Sequence, residues 1–140
     1  MIDSLLFLSI IDTTYTDISI RSNLFDASLK GKLNLAELPN TLKNHFDKYL
    51  GKETATINKT PQNFKFDVKL HDPDLLTDVI LPDLSHFKTG DINGEFDSET
   101  DVFDLNVYFS SIDYANILID SLYFISKSND KKLTADLVVK

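Results

Sequence analysis

The sequence predicts a mainly β fold: an antiparallel, meandering sheet with two short helical insertions and one apolar face. Two observations carry this expectation. Apolar and polar residues alternate with period two through four long segments, which marks strands with one dry and one wet side. Only two segments abandon that period for helical spacing, and Pro, Gly or Asp stands where each would start or stop. The chain has 140 residues, 42% of them apolar and 26% charged. That is enough for one folded domain over residues 1–140 with a core of its own.

Each element follows in order along the chain. A weak strand reads at Leu5 to Ile11, apolar on both faces, and another at Tyr15 to Ser22. Phe25, Ala27, Leu29, Gly31, Leu33 and Leu35 then alternate with Asp26, Ser28, Lys30, Lys32 and Asn34. Leu38, Leu42, Phe46, Tyr49 and Leu50 fall on one helical stripe. Pro39 suits a first helical position and Gly51 the residue beyond the end of that helix. The segment from Lys52 to Pro61 is polar and aperiodic, a loop. Phe64, Phe66, Val68 and Leu70 resume the strand pattern. A short second helix follows, with Asp72 as its cap, Pro73 opening it, Leu75, Leu76, Val79 and Ile80 as its apolar side, and Pro82 ending it.

The last third is again β. A weak strand reads at Asp91 to Phe96. Phe103, Leu105, Val107 and Phe109 alternate cleanly, Asn116 to Ser126 reads as another weak strand, and Leu133, Ala135, Leu137 and Val139 form the final clean one. One internal echo stands out. Asp3-Ser4-Leu5-Leu6-Phe7-Leu8-Ser9 resembles Asp120-Ser121-Leu122-Tyr123-Phe124-Ile125-Ser126. An echo of this length suggests a long-period repeat built on the sheet.

Charge and composition exclude several functions. The formal net charge is −8, which argues against a nucleic-acid binder and against docking on anionic lipid heads, since both need clustered Lys and Arg. With no Cys, disulfide scaffolds, thiolate metal sites and thiol nucleophiles are ruled out. His45, His71 and His86 have no i, i+4 His or Glu partner, so no zinc motif is present, and each reads as a solvated or hydrogen-bonded surface His. Asp91, Asn93, Glu95, Asp97, Glu99 and Asp101 place an oxygen at every second position. A calcium loop needs Gly sixth and Glu twelfth, and Phe96 and Val102 stand there instead. No glycine-rich phosphate loop or Gly-x-Ser-x-Gly elbow occurs, so neither catalytic nor metal-binding residues are assigned and no cofactor is expected.

The informative feature is the apolar face. Seven or eight strands would make a sheet roughly 35 Å wide, and two helices each cover a band about 10 Å wide. The remaining apolar area must fold onto itself, pair with another copy, or hold an apolar ligand. Its lining would comprise Phe25, Ala27, Leu29, Leu33, Phe64, Phe66, Val68, Leu70, Phe103, Leu105, Val107, Phe109, Leu137 and Val139, with Leu38, Leu42, Phe46 and Tyr49 plugging or capping it. Open terminal strands would favour edge-mediated pairing between copies.

The string Leu24-Phe25-Asp26-Ala27-Ser28-Leu29-Lys30-Gly31-Lys32-Leu33-Asn34-Leu35 resembles a recurrent block of TamB-like, AsmA-related proteins of the Bacteroidetes. So does Pro61-Gln62-Asn63-Phe64-Lys65-Phe66-Asp67-Val68, with Asp74-Leu75-Leu76-Thr77-Asp78 and Leu81-Pro82-Asp83-Leu84 behind it. The Asp-Ser-Leu blocks at Asp3 and Asp120 are similar to that family's strand starts. The resemblance covers most of the chain and rests on strand patterns, with no catalytic signature. It implies a curled, taco-like sheet with an apolar inner groove, and a periplasmic location in an inner-membrane-anchored protein. It also implies a non-enzymatic role in phospholipid transport between membranes or in outer-membrane assembly. The chain would then be an internal slice of a much longer repeat-like protein, without its anchor. Its partners would be phospholipid or another apolar ligand, and an outer-membrane assembly protein. The alternative is a protein-binding module that engages outer-membrane clients by β-strand addition.

Overall fold

The structure, a computed structural model, describes residues 4–12, 15–52, 60–77 and 83–140. Its elements are β1 (Leu5–Ile11), β2 (Thr16–Ser22), β3 (Phe25–Lys32), α1 (Leu38–Tyr49), β4 (Asn63–Leu70), α2 (Asp74–Thr77), β5 (Leu84–His86), β6 (Thr89–Asp97), β7 (Val102–Tyr114), β8 (Ile117–Ser128) and β9 (Leu133–Val139). All nine strands belong to one antiparallel sheet in the order β1-β2-β3-β4-β6-β7-β8-β9, with β5 paired to the far end of β7. The sheet is not closed into a barrel: among the described residues, β1 pairs only with β2, and β9 only with β8. None of the described helices is long and apolar enough to cross a membrane.

Residues opposite each other in an antiparallel ladder share a face, so the register can be read as rows across the strands. One row joins Leu5, Ser22, Phe25, Leu70, Gly90, Phe109, Leu122 and Val139. The next joins Phe7, Ile20, Ala27, Val68, Ile92, Val107, Phe124 and Leu137. A third joins Ser9, Ile18, Leu29, Phe66, Gly94, Leu105, Ser126 and Ala135, and a fourth Ile11, Thr16, Gly31, Phe64, Phe96, Phe103, Ser128 and Leu133. The alternate rows, on the opposite side, carry charge. Asp17, Lys30, Lys65, Glu95, Asp104 and Lys127 lie in one of them, with ion pairs Lys30–Asp17 and Lys65–Glu95, each at 3.1 Å.

Two covers lie over the first and fourth rows. Helix α1 sits on the fourth, where Phe46 meets Phe103 edge-on with ring centres 5.1 Å apart. It ends as the sequence leads one to expect: Gly51 takes a left-handed φ of 67°, and the Lys52 amide reaches back to the Asp47 carbonyl. The second cover lies over the first row. Leu84 of β5 and Phe87 are buried with Leu70 and Ile112, and Leu76 packs against them.

Three local features differ from the sequence expectation. Strand β3 stops at Lys32 rather than running to Leu35. Past Gly31 the Asn34 carbonyl accepts the Glu37 and Leu38 amides, and the Asn34 side chain accepts the Ala36 amide, so the chain turns directly into α1. His86, which the sequence places in a turn region after Pro82, instead ends a short strand. In β7 the alternation changes phase: Ser111 has φ 50°, and Ile112, which strict alternation would place with the polar rows, joins the buried cluster with Phe87. Residues 53–59 of the polar loop, and Val79, Ile80 and Pro82 of the expected second helix, lie outside the described residues.

Candidate functional site

Between the two covers run the second and third rows. Ile20, Ala27, Val68, Ile92, Val107 and Phe124 of the second row are half-buried, as are Ile18, Leu29, Phe66 and Leu105 of the third. At the margins, Phe7 and Leu137 are 57% and 62% exposed. The two rows cross eight strands, a lane about 34 Å long, with about 7 Å between rows. Gly94 has a packing role here. A Cβ at this position would lie 2.2 Å from the Asp104 carbonyl and 2.7 Å from the Phe66 ring, so only Gly leaves room for Phe66 to lie low across the lane.

The candidate lining residues separate into three groups. Ala27, Val68, Val107, Leu137, Leu29, Phe66 and Leu105 occupy the lane. Phe25, Leu70, Phe109 and Val139 belong to the first row, and Phe64 and Phe103 to the fourth. Leu70 and Phe64 are each 4% exposed beneath the covers and serve as packing. Leu33 is out of the sheet. It follows the end of β3 and lines, with Ile11, Tyr15, Leu35 and Pro61, a cleft of about 340 Å³ at the end of the sheet. Phe7, Ile18, Ile20, Ile92 and Phe124 also lie in the lane, on strands whose alternation in the sequence is weak.

The helix seats itself differently from the expected stripe. Leu38, Leu42, Phe46 and Tyr49 are half-buried, while Thr41, His45 and Asp47 are the buried positions of α1. Two polar locks explain this. The Gln62 side-chain amide donates to the Thr41 hydroxyl at 2.9 Å, and His45 Nε2 lies 2.8 Å from the Ser128 hydroxyl. The Tyr49 hydroxyl donates to the Asn129 carbonyl. Hence His45 is no surface residue: it is 4% exposed, with Phe46, Tyr49 and Phe96 rings each 5.3 Å away.

Ser128, His45 and Asp101 line up in the order of a nucleophile, base and carboxylate, with His45 Nδ1 3.7 Å from Asp101. The geometry favours a lock over a catalytic site. Nucleophilic catalysis needs a hydroxyl that substrate can reach, and Ser128 is 7% exposed with its oxygen already accepting the Phe103 amide at 2.9 Å. Asp101 serves a second partner, Lys48, at 2.9 Å. Burial opposes the Lys48 ammonium, but the hydrogen bond and charge of Asp101, helped by Tyr49, outweigh it and hold Lys48 above its ordinary 10.5. No group of three or more His, Asp or Glu able to hold a metal ion occurs among the described residues.

No family model, no curated protein and no solved structure matches the chain. The functional reading therefore rests on the lane and its surroundings.

Proposed function

We propose that this chain is a non-enzymatic segment of a TamB-like envelope protein, and that its sheet shields apolar chains from water. The observation that carries the proposal is the apolar second row crossing every strand of the path, joined by Ile18, Leu29, Phe66 and Leu105 of the third, between two covers and backed by opposite rows that carry charge. In this reading the sheet curls about the lane as a taco-like trough, with α1 and the β5 segment as its banks. An acyl chain needs no specific polar contact there, because each CH₂ withdrawn from water contributes about 0.8 kcal/mol. The polar rows face the aqueous periplasm, and the cargo is phospholipid moving between membranes or toward outer-membrane assembly.

The test is lipid extraction from the purified protein followed by mass spectrometry, with photo-crosslinking to a diacyl phospholipid probe. Copurifying lipid, with crosslinking lost in Phe66→Asp while the far-UV spectrum is unchanged, supports the reading. A folded protein that carries no lipid and takes up no probe sinks it. A second reading, capture of an extended client strand, is favoured by the exposed terminal strands β1 and β9, whose unpaired backbone groups suit strand addition. An unfolded outer-membrane client binding to a lipid-free protein would favour it.

A further inference from the structure

We infer that the β7–β8 hairpin ends in an apolar tip that dips into the surface of a zwitterionic phospholipid bilayer. The feature is a turn within the chain. It stands whether or not further strands flank β1 and β9, and whatever the lane carries.

Three observations lead there. First, the hairpin outruns its cover. Ile112 is buried with Leu84 and Phe87, and Ile119, its partner across the ladder, packs against that cluster. Beyond this root the apolar character goes on while the cover stops. Residues 114–118 are all exposed, Ile117 by 62% and Leu118 by 82%. No charged residue occurs from Tyr114 to Ile119. The neighbouring hairpins turn differently: β6–β7 through Ser98, Glu99, Thr100 and Asp101, and β8–β9 through Asn129, Asp130, Lys131 and Lys132. Clustered apolar exposure of this kind marks a contact site.

Second, the shape of the tip favours a medium that surrounds it over a partner's face. Tyr114 pairs with Ile117, on the side of the hairpin that Ile112 and Ile119 occupy. Leu118 pairs with Asp113 and projects from the other side. A protein surface would cover one side of such a hairpin, whereas lipid covers both. The backbone suits lipid as well, where each polar backbone group must already be bonded. The turn has only two residues, Ala115 and Asn116, and the Ala115 amide donates to the Asp83 carbonyl at 2.9 Å. Tyr114 brings an apolar ring with a polar end, the combination that settles at headgroup level.

Third, the charges at the base of the tip select the lipid. Asp83, Asp113 and Asp120 stand there, with Lys140 beside Asp120. An anionic leaflet repels such a base, whereas the ammonium groups of choline or ethanolamine headgroups attract it. Three apolar side chains make a weak anchor, so the contact is reversible.

Because the chain has no Cys, an engineered cysteine carries a polarity-sensitive fluorophore to one place. Leu118→Cys puts it at the tip, and Thr100→Cys at the opposite end of β7. With phosphatidylcholine vesicles, the label at 118 should shift to the blue and brighten about twofold or more, while the label at 100 stays unchanged. Replacing part of the phosphatidylcholine with phosphatidylglycerol should weaken the response. Leu118→Asp should cut vesicle cosedimentation at least about fivefold at an unchanged melting temperature, since the position is exposed. A label at 118 that never responds to vesicles overturns the inference, as does an equal response at 100. Tighter binding to phosphatidylglycerol than to phosphatidylcholine overturns the choice of lipid, and unimpaired cosedimentation of Leu118→Asp overturns the role of the tip.

Discussion

At the scale of the residue, the attachment of α1 to the sheet depends on a few buried polar contacts. Ser128 carries the most: it meets His45 and accepts the Phe103 amide. Ser128→Ala strands both partners in a buried setting and should cost about 1–3 kcal/mol in urea unfolding. The loss should fall on α1, seen as faster amide exchange in residues 38–49 than in β7. Lys48 sets a pH dependence. Its pKa is raised by folding, so the stability it contributes is fully present below its unfolded value near 10.5 and is lost as pH climbs through the higher folded value. Thermal melts between pH 9 and 12 should show a Lys48-dependent decline that disappears in Lys48→Met. An identical slope in the variant would rule out this ion pair as its source. His45 shows what the sequence hid. A helical stripe is found by counting apolar residues, and the seated positions here are Thr41 and His45, polar side chains that find hydrogen-bond partners in Gln62 and Ser128 on distant elements.

At the scale of the element, the strands were legible because period two survives wherever one side of a strand is dry. The errors lie where alternation and backbone part company. Leu33 and Leu35 continue the alternation of β3 into a turn organised by Asn34, so the pattern overran the strand. Ser111 does the reverse: the strand continues while its phase flips. Strand β5, with three residues, is too short to show any period. The β7–β8 hairpin offers a direct test. Ala115 and Asn116 form its two-residue loop with φ of 51° and 64°, the geometry of a type I′ turn. Ala in a left-handed conformation is strained by about 1–2 kcal/mol. Ala115→Gly should therefore stabilise the protein by about 0.5–1 kcal/mol after the added entropy of the unfolded chain is counted. An unchanged or lower melting temperature would contradict the turn assignment.

At the scale of the whole molecule, the sheet divides the chain's chemistry between two sides, and neighbouring residues of one strand should respond oppositely. Ile92 lies in the lane and Asn93 in a polar row, where its side chain accepts a hydrogen bond from Asn106. Ile92→Asp should abolish binding of an apolar fluorescent dye and destabilise by about 2 kcal/mol or more, whereas Asn93→Asp should stay within about 0.5 kcal/mol of the parent. Equal effects at both positions would show that the two sides are not distinct. The acidic net charge of −8 is partly housed in those polar rows, where Lys30, Lys65 and Lys69 already neutralise Asp17, Glu95 and Asp91.

The meander also has a kinetic consequence. Strands that follow one another in the chain are mostly neighbours in the sheet, so hairpins β1–β2, β2–β3, β7–β8 and β8–β9 close over short loops and form early. Only two closures are long: β3 must find β4 across α1, and β4 must find β6 across α2 and β5. The molecule therefore assembles as two quickly zipped ends and a slower middle. The covers over the first and fourth rows, the β5 segment and α1, are carried by the two connections that close last, so they settle only when the sheet beneath them is complete.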